Sequence, residues 1–497
     1  MANLETIQRL CVTRGIIFPT AEIYGGLSGC FDYGPIGVAI KRNFLNYWRE
    51  WFIKSEENIA EMDGAVILPE KVLIASGHVS SFVDPITQCK KCKSIYRADN
   101  LIEEKTGKFV EGKSVEELTK IIKEENIVCP SCKGELSDVK FFNLMFKTFV
   151  GPAGDIPAYL RPETAQNIFI NFKRIFRLMR GKLPLGIAQH GHAFRNEISA
   201  RQFIIRSREF NQIEIEMFFD PENEGCENFE KVKNVEIILL TREAQIKGGN
   251  AIKIKVGDAV EKKILPNKWM GYFLAKEFEF FKSLGIKEEN MRFRHMLPEE
   301  TPHYSGGNFD LEVKFDFGWK EIVGNAYRTD HDLKNHSKFS KEDLSVSING
   351  KKIIPHVVEP SFGLERILYA ILLESFVEDK ERGWNWLKLP KMLAPFIACV
   401  YPLVSKDNLP EKAREVYEML KKDFDVFFDE SGSIGKRYAR ADEIGVPFCI
   451  TIDYQTLKDG TVTVRDRDTT KQIRIKIDEL PEFLNSIKKK QNKNQNF

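Results

Sequence analysis

Residues 194–219, FRNEISARQFIIRSREFNQIEIEMFF, are dense in charge yet carry a two-residue beat that suits a β-strand. Side chains alternate between the faces of a strand. Arg208, Phe210, Gln212, Glu214 and Glu216 therefore share one face, and Ile213, Ile215 and Met217 the other. The odd-numbered face is expected in the core. The even-numbered face is the candidate site, joined by Arg195 and Glu197 on the preceding strand and by a mobile loop, SARQFIIRS, that carries Arg201 and Arg206 and leads into Arg208. Guanidinium forks hold phosphate oxygens bidentately, Phe210 could stack on a base, and Glu214 could pair with an ammonium. The alternative is a solvated hairpin whose cross-strand ion pairs contribute about a few tenths of a kcal/mol each.

Two other stretches repeat this chemistry. HVVEPSFGLERILYAIL, residues 356–372, reads as a strand ending at Glu359, a Ser361 N-cap and a helix buried along Leu364, Leu368 and Ile371, with Arg366 roughly opposite. YLRPETAQNIF, residues 159–169, sets Arg161 and Glu163 beside a proline and a polar turn. Upstream, residues 34–55 place Ile36, Ile40, Phe44, Tyr47 and Trp51 at helical spacing after Gly-Pro, and a short buried strand, AVILP, follows.

A chain of 497 residues exceeds one hydrophobic core, so several domains are expected. Residues 85–140 change character, with cysteine pairs and a run of lysine and glutamate; a core-like strand resumes at FFNLMFKTFV. The pairs, Cys89/Cys92 and Cys129/Cys132, form CxxC…CxxC across 36 intervening residues. Four thiolates around Zn2+ is the direct reading, with a structural and not a catalytic metal; free cysteines and redox pairs are the alternatives. Residues 225–300 read as a second, accessory insertion, with Trp269, Phe273, Lys276, Phe280 and Leu284 on one side of a helix. After a proline-containing linker, strand and helix patterns alternate through residues 396–497, which predicts a small α/β domain with a largely parallel sheet.

No apolar run approaches the roughly 18 residues that span a membrane, and the N-terminal residues lack a signal-peptide pattern. The other five of the nine cysteines stand alone, which points to a reducing compartment and a cytoplasmic protein. A net charge of +2 announces no nucleic-acid partner, and residues 396–497 balance 18 basic against 17 acidic residues, so any RNA contact must be local.

FRNE…REFNQIE and EPSFGLER resemble the second and third signature motifs of class II aminoacyl-tRNA synthetases, and the 34–55 helix with AVILP resembles the first, dimer-forming one. RGIIFPTAEIYGGLSGCFDYGPIG, ASGHVSSFVDP, RPETAQNIF, FGWKEIVGNAYRTDHDL and SGSIGKRYARADEIGVPF are similar to stretches of the homodimeric glycyl-tRNA synthetases. The resemblance spans nearly the whole chain. It implies an α+β catalytic core built on an antiparallel sheet (residues 1–84, 141–224 and 301–390), a zinc-knuckle insertion (85–140), an α/β accessory insertion (225–300) and a C-terminal α/β anticodon-binding domain (391–497).

The same resemblance implies ATP, glycine, tRNA(Gly) and a second copy of the chain as partners, with Mg2+ on the phosphates and no membrane. Arg195, Glu197 and Arg366 would be the catalytic groups. ATP would lie against Arg195, Asn196, Glu197, Ile205, Arg206, Ser207, Arg208, Glu209, Phe210, Glu321, Ile322, Gly363, Leu364, Glu365 and Arg366. Glycine would be held by Arg97, Glu163, Phe210, Asn211, Gln212, Ile213, Glu214, Glu359, Pro360, Ser361, Phe362 and Gly363, with Arg328 a further candidate for its carboxylate. Glu321 and Glu359 are the expected metal carboxylates; Lys436, Arg437, Arg440 and TVTVRDRD are the expected RNA contacts. The chain departs from the family pattern at Asn211, where glutamate is common, at Asn167, where glycine is common, and at Phe31, where tryptophan is expected. A non-catalytic synthetase-like binding protein and an ATP-dependent ligase with a non-tRNA acceptor are the competing readings.

Overall fold

A computed structural model describes residues 3–493 except 109, 111, 201 and 302–304. Arg201 therefore lies outside the described residues. The central element is a nine-stranded sheet in the order Ile252–Lys255, Glu236–Leu240, Met291–His295, Asn308–Phe315, Gly318–Thr329, His356–Gly363, Glu209–Phe219, Leu185–Phe194, Ile59–Met62. Its six middle strands are antiparallel throughout, and Leu185–Phe194 pairs in parallel with the edge strand Ile59–Met62.

The helix Pro35–Phe52 opens on proline at its first turn and buries Ile40, Phe44, Tyr47, Trp48, Trp51 and Phe52. Gly37 permits its close approach to the residue that leads into the strand Ile17–Pro19: a Cβ there would lie 1.9 Å from the Ile16 carbonyl oxygen. Phe44, Tyr47, Trp51 and Phe52 all meet Phe280 of the helix Lys268–Ser283, at ring-centroid distances from 5.2 to 5.9 Å. Phe362 joins them from the sheet, 5.1 Å from Phe52.

That packing alters the expected standing of residues 225–300. Three of their strands are hydrogen-bonded into the main sheet, and their long helix covers its apolar face. The segment extends the core and is not a separate accessory module.

Residues 85–140 hold a small hydrophobic cluster of their own. Leu101, Ile102, Leu118, Ile122 and Leu136 make a small core under the helices Ala98–Thr106 and Val115–Glu124. FFNLMFKTFV is not one core strand. It divides into Lys140–Asn143 and Lys147–Val150, each in a three-stranded sheet, and leaves Phe141 and Phe149 exposed.

The C-terminal sheet, ordered Val426–Phe428, Ala398–Pro402, Phe448–Ile452, Thr461–Asp466, Gln472–Lys476, is parallel over its first three strands only. The short Asp466–Lys471 turn, closed by Asp466 N–H donating to the Lys471 carbonyl at 3.0 Å, is too brief for a parallel crossover and forces a hairpin. Buried Asp442 fastens this domain to the core: it accepts from Arg465 at 2.8 and 2.9 Å, Arg382 at 3.1 Å and Trp384 at 3.2 Å.

Candidate active site

The strands Gly318–Thr329, His356–Gly363 and Glu209–Phe219 carry their polar faces into one cleft. Glu163, Arg195, Glu197, Ile205, Arg206, Ser207, Phe210, Gln212, Glu214, Glu321, Ile322, Glu359, Ser361, Gly363, Glu365 and Arg366 line it.

The mouth is cationic and aromatic. Arg195 lies with its guanidinium 5.2 Å from the Phe210 ring and donates to the Pro162 carbonyl at 3.1 Å. Arg206 donates to Glu197 at 2.6 Å. Arg366, in the first turn of the helix Leu364–Ser375, donates to the carbonyls of Ile205 and Glu321 and to the Glu321 carboxylate, each at 3.1 Å. These contacts fix the forks before any ligand arrives, so little reorganisation accompanies anion binding.

The floor is acidic and buried. Glu214 accepts from Ser361 Oγ at 2.7 Å and from the Thr164 hydroxyl. Glu359 accepts from Arg328 at 2.7 Å, and Arg328 also grips Asp332 through two bonds of 2.8 and 3.0 Å. Glu163 accepts from Gln166 at 2.8 Å and stands 3.5 Å from His78. Burial and the neighbouring Glu359 and Glu163 push the Glu214 carboxyl up to about 8, and its two hydroxyl donors do not offset them. Burial acts upward on Glu163 too, but His78 and Arg328 outweigh it and hold that carboxyl below the usual range.

Several expected residues lie elsewhere. Ile213, Phe362 and Leu364 are in the apolar core on the opposite face of their strands or under the helix. Asn211 also faces away, donating to Glu365 at 2.8 Å and accepting from Lys41 at 2.8 Å. Glu365 borders the cleft, yet its carboxylate is taken by Asn211 and by the Tyr33 hydroxyl at 2.8 Å. Arg97 pairs with Asp84 at 3.1 Å and with Asp99. Pro360 is buried in strand pairing opposite Asn325. Asn196, Arg208 and Glu209 stand beside the cleft: Asn196 N–H donates to the Leu144 carbonyl, Arg208 to the Glu197 carbonyl at 3.1 Å, and Glu209 meets His192 at 2.9 Å.

The secondary structure around them also differs from expectation. Leu185–Phe194 ends before Arg195, so Arg195 and Glu197 occupy the connection and share no strand face. His356–Gly363 runs through Ser361, which is therefore not an N-cap; its hydroxyl serves Glu214. The linking segment is anchored by buried Phe203, Ile204 and Ile205, which pack in the main core and hold it against the helix of Arg366. Arg328 spends one N–H on Glu359 and two on Asp332 and does not line the cleft.

Asp310, Asn308, Gly324 and Asn325 line the cleft without having been singled out. The alternation NFDLEV, which puts Asn308, Asp310 and Glu312 on one face, was the available signal. Beneath the site, Arg161 donates to the carbonyls of His192 at 2.7 Å and Gly64 at 2.9 Å and reaches Asn167 at 3.4 Å. A Cβ on Gly191 would lie 2.0 Å from its guanidinium.

Within residues 85–140, the four Sγ atoms of Cys89, Cys92, Cys129 and Cys132 lie within 4.8 Å of one another. Two similar knuckles present them, with Lys93 and Lys133 in the left-handed region and donating to the Cys89 and Cys129 carbonyls at 3.1 and 2.9 Å. Gly134 makes room: a Cβ there would lie 3.1 Å from Cys89 Sγ. A closed, all-sulfur tetrahedral donor set suits a structural zinc ion.

In the C-terminal domain, three of the expected RNA-contact arginines, Arg437, Arg465 and Arg467, are internal struts. Arg437 is 2% exposed and donates to the Pro402 and Gly432 carbonyls. Arg465 pairs with Asp442, and Arg467 bridges the Gly445 and Leu389 carbonyls at 2.7 and 2.9 Å. Arg440 is tied to Asp429 at 3.1 Å, whereas Lys436 is exposed.

Residues 154–376 match the class II tRNA synthetase core domain (G, H, P, S and T), and residues 398–487 match an anticodon-binding domain. The prolyl-tRNA synthetase of Cryptosporidium parvum, solved with L-proline and AMP, superposes with a TM-score of 0.58 over 99% of this chain and 78% of that one, at 14% identity, and supports the fold alone. An antiparallel sheet with these motifs on adjacent strands, followed by this C-terminal domain, defines a class II aminoacyl-tRNA synthetase. The glycine–tRNA ligase of Pyrococcus furiosus is 43% identical over 97% of this chain and 98% of its own length, and that of Methanocaldococcus jannaschii is 41% identical over the same shares. The chain belongs to the glycine–tRNA ligase family.

Proposed function

We propose that the chain joins glycine to the 3′ end of tRNA(Gly) in two steps within this cleft. The glycine carboxylate attacks the α-phosphorus of ATP, the bond to the β-phosphate oxygen breaks, and glycyl adenylate and pyrophosphate form. A terminal ribose hydroxyl of the tRNA then takes the glycyl group, and AMP leaves. The observation that carries this reading is one cleft with arginine forks and an aromatic ring at its mouth and a buried carboxylate floor.

Arg195 neutralises the α-phosphate while Phe210 stacks on adenine, with Glu197 at the adenine edge; Arg206 and Arg366 hold the outer phosphates. Glu163, Glu214 and Glu359 receive the glycine ammonium. Positioning and charge neutralisation supply the rate, and no protein group forms a bond to substrate. Glu321 and Asp310, side by side in the cleft, are the carboxylates that would hold Mg2+, which would supply charge neutralisation at the phosphates. Glycine has no side chain to read, so selectivity must come from capturing both its charges while excluding a methyl group, which a pocket by itself discriminates by only about 1 to 3 kcal/mol.

Zinc at Cys89, Cys92, Cys129 and Cys132 staples residues 85–140. A homodimer fits the exposed apolar face of the small sheet containing Ile67–Pro69, where Ile67, Val150 and Ile156 share one side and are 49%, 42% and 53% exposed. The isolated thiols favour a cytoplasmic setting. No helix of the described residues is long and apolar enough to cross a membrane.

Glycine-dependent exchange of pyrophosphate into ATP, followed by charging of tRNA(Gly), tests the reading. Folded protein without exchange would favour a non-catalytic binding protein. Exchange without charging would favour an ATP-dependent ligase with another acceptor.

A further inference from the structure

Glu216 is 0% exposed, and neither of its carboxyl oxygens has a hydrogen-bond partner among the described residues. It lies one step deeper than Glu214 on the same face of the strand Glu209–Phe219. The register with His356–Gly363 is unshifted, from Glu214 opposite Ser361 to Met217 opposite Val358, which sets Glu216 across from Glu359. On its other side it faces Ile187, which offers no donor. The charged groups around it are Glu359, Arg328 and Glu214, with Asp332 beyond Arg328.

Two buried carboxyls brought face to face cannot both ionise, because no solvent screens them. The proton has a preferred site. Glu359 receives Arg328 at 2.7 Å, which stabilises its charge, while Glu216 receives nothing. We propose that Glu216 is a positioning residue for glycine: it keeps its proton and donates an O–H hydrogen bond to Glu359, which holds that carboxylate aimed at the ammonium. Burial and the neighbouring Glu359 raise the Glu216 carboxyl well above the usual range, in the same direction. An unpaired acid in the floor thereby becomes a donor that fixes its neighbour's geometry without adding charge.

The inference rests on the proposed glycine-binding reading. Its test compares Glu216→Gln, whose amide can still donate, with Glu216→Leu, which keeps the bulk and removes the donor, in glycine-dependent pyrophosphate exchange. E216Q is expected to keep the KM for glycine within about twofold, and E216L to raise it about tenfold or more with the KM for ATP unchanged. Equal loss in both variants, or no change in either, overturns the proposal. Infrared difference spectra of wild type against E216Q provide a readout independent of activity and of whether E216L folds: a protonated-carboxyl carbonyl band must disappear in E216Q, and its absence from wild type refutes the proton. Absence of any exchange in wild type would refute the glycine reading instead and leave the infrared result standing.

Discussion

Glu214 makes the affinity for glycine depend on pH. Its carboxyl is pushed up to about 8 by burial and by Glu359 and Glu163, so the free protein holds a proton there that an incoming ammonium must displace. The sign follows from that exchange. A ligand that needs the ionised form binds more weakly below the raised value and regains affinity as pH rises through it. With a pKa of about 8, about one tenth of the molecules are ionised at pH 7 and about three quarters at pH 8.5. The apparent KM for glycine should therefore fall about eightfold over that interval, equivalent to about 1.2 kcal/mol. Free glycine keeps its ammonium proton there and adds no opposing trend. Pyrophosphate exchange at saturating ATP, with glycine titrated at each pH, gives the profile. Glu214→Gln should bind glycine more weakly and show no slope. A flat or rising KM in wild type, or the same slope in E214Q, would refute the assignment of the proton to Glu214.

Arg195→Ala should abolish exchange while shifting unfolding free energy by no more than about 1 kcal/mol, because its guanidinium serves the cleft and one carbonyl; denaturant melts and exchange together check both halves. Metal analysis of purified protein should find about one zinc ion per chain, and chelation or Cys129→Ser should raise hydrogen exchange across residues 85–140 while sparing the core sheet. Asp442→Ala should destabilise by about 3 to 5 kcal/mol, since Arg465 would be left a buried cation without its carboxylate and Arg382 would keep only Asp379 at 3.4 Å; a thermal shift near zero would show that the domain junction is held by something else.

Much of the cleft is legible in one strand. The two-residue beat of Glu209–Phe219 separates Phe210, Gln212 and Glu214 from Ile213, Ile215 and Met217, because pleating sends alternate side chains to opposite faces whatever the rest of the chain does. The same rule places Asn211 away from the cleft and would have found Asp310. The class II family match carried the motifs beyond the hairpin. The cysteine spacing was equally local: two knuckles of similar geometry converge because each is complete within a few residues.

What a strand meets across the sheet is not written in its own period. That Arg328 spends its fork on Asp332 and Glu359, that Arg437 and Arg467 are struts and not RNA contacts, and that residues 225–300 extend the main sheet depend on partners distant in sequence. The sequence by itself determined the chemistry available, the faces of the strands and the set of four paired cysteines. Only the tertiary structure decided which charges are spent inside the protein and which are left for a ligand. Hydrogen bonds and ion pairs between buried groups depend on three-dimensional proximity, and a local pattern carries no information about that.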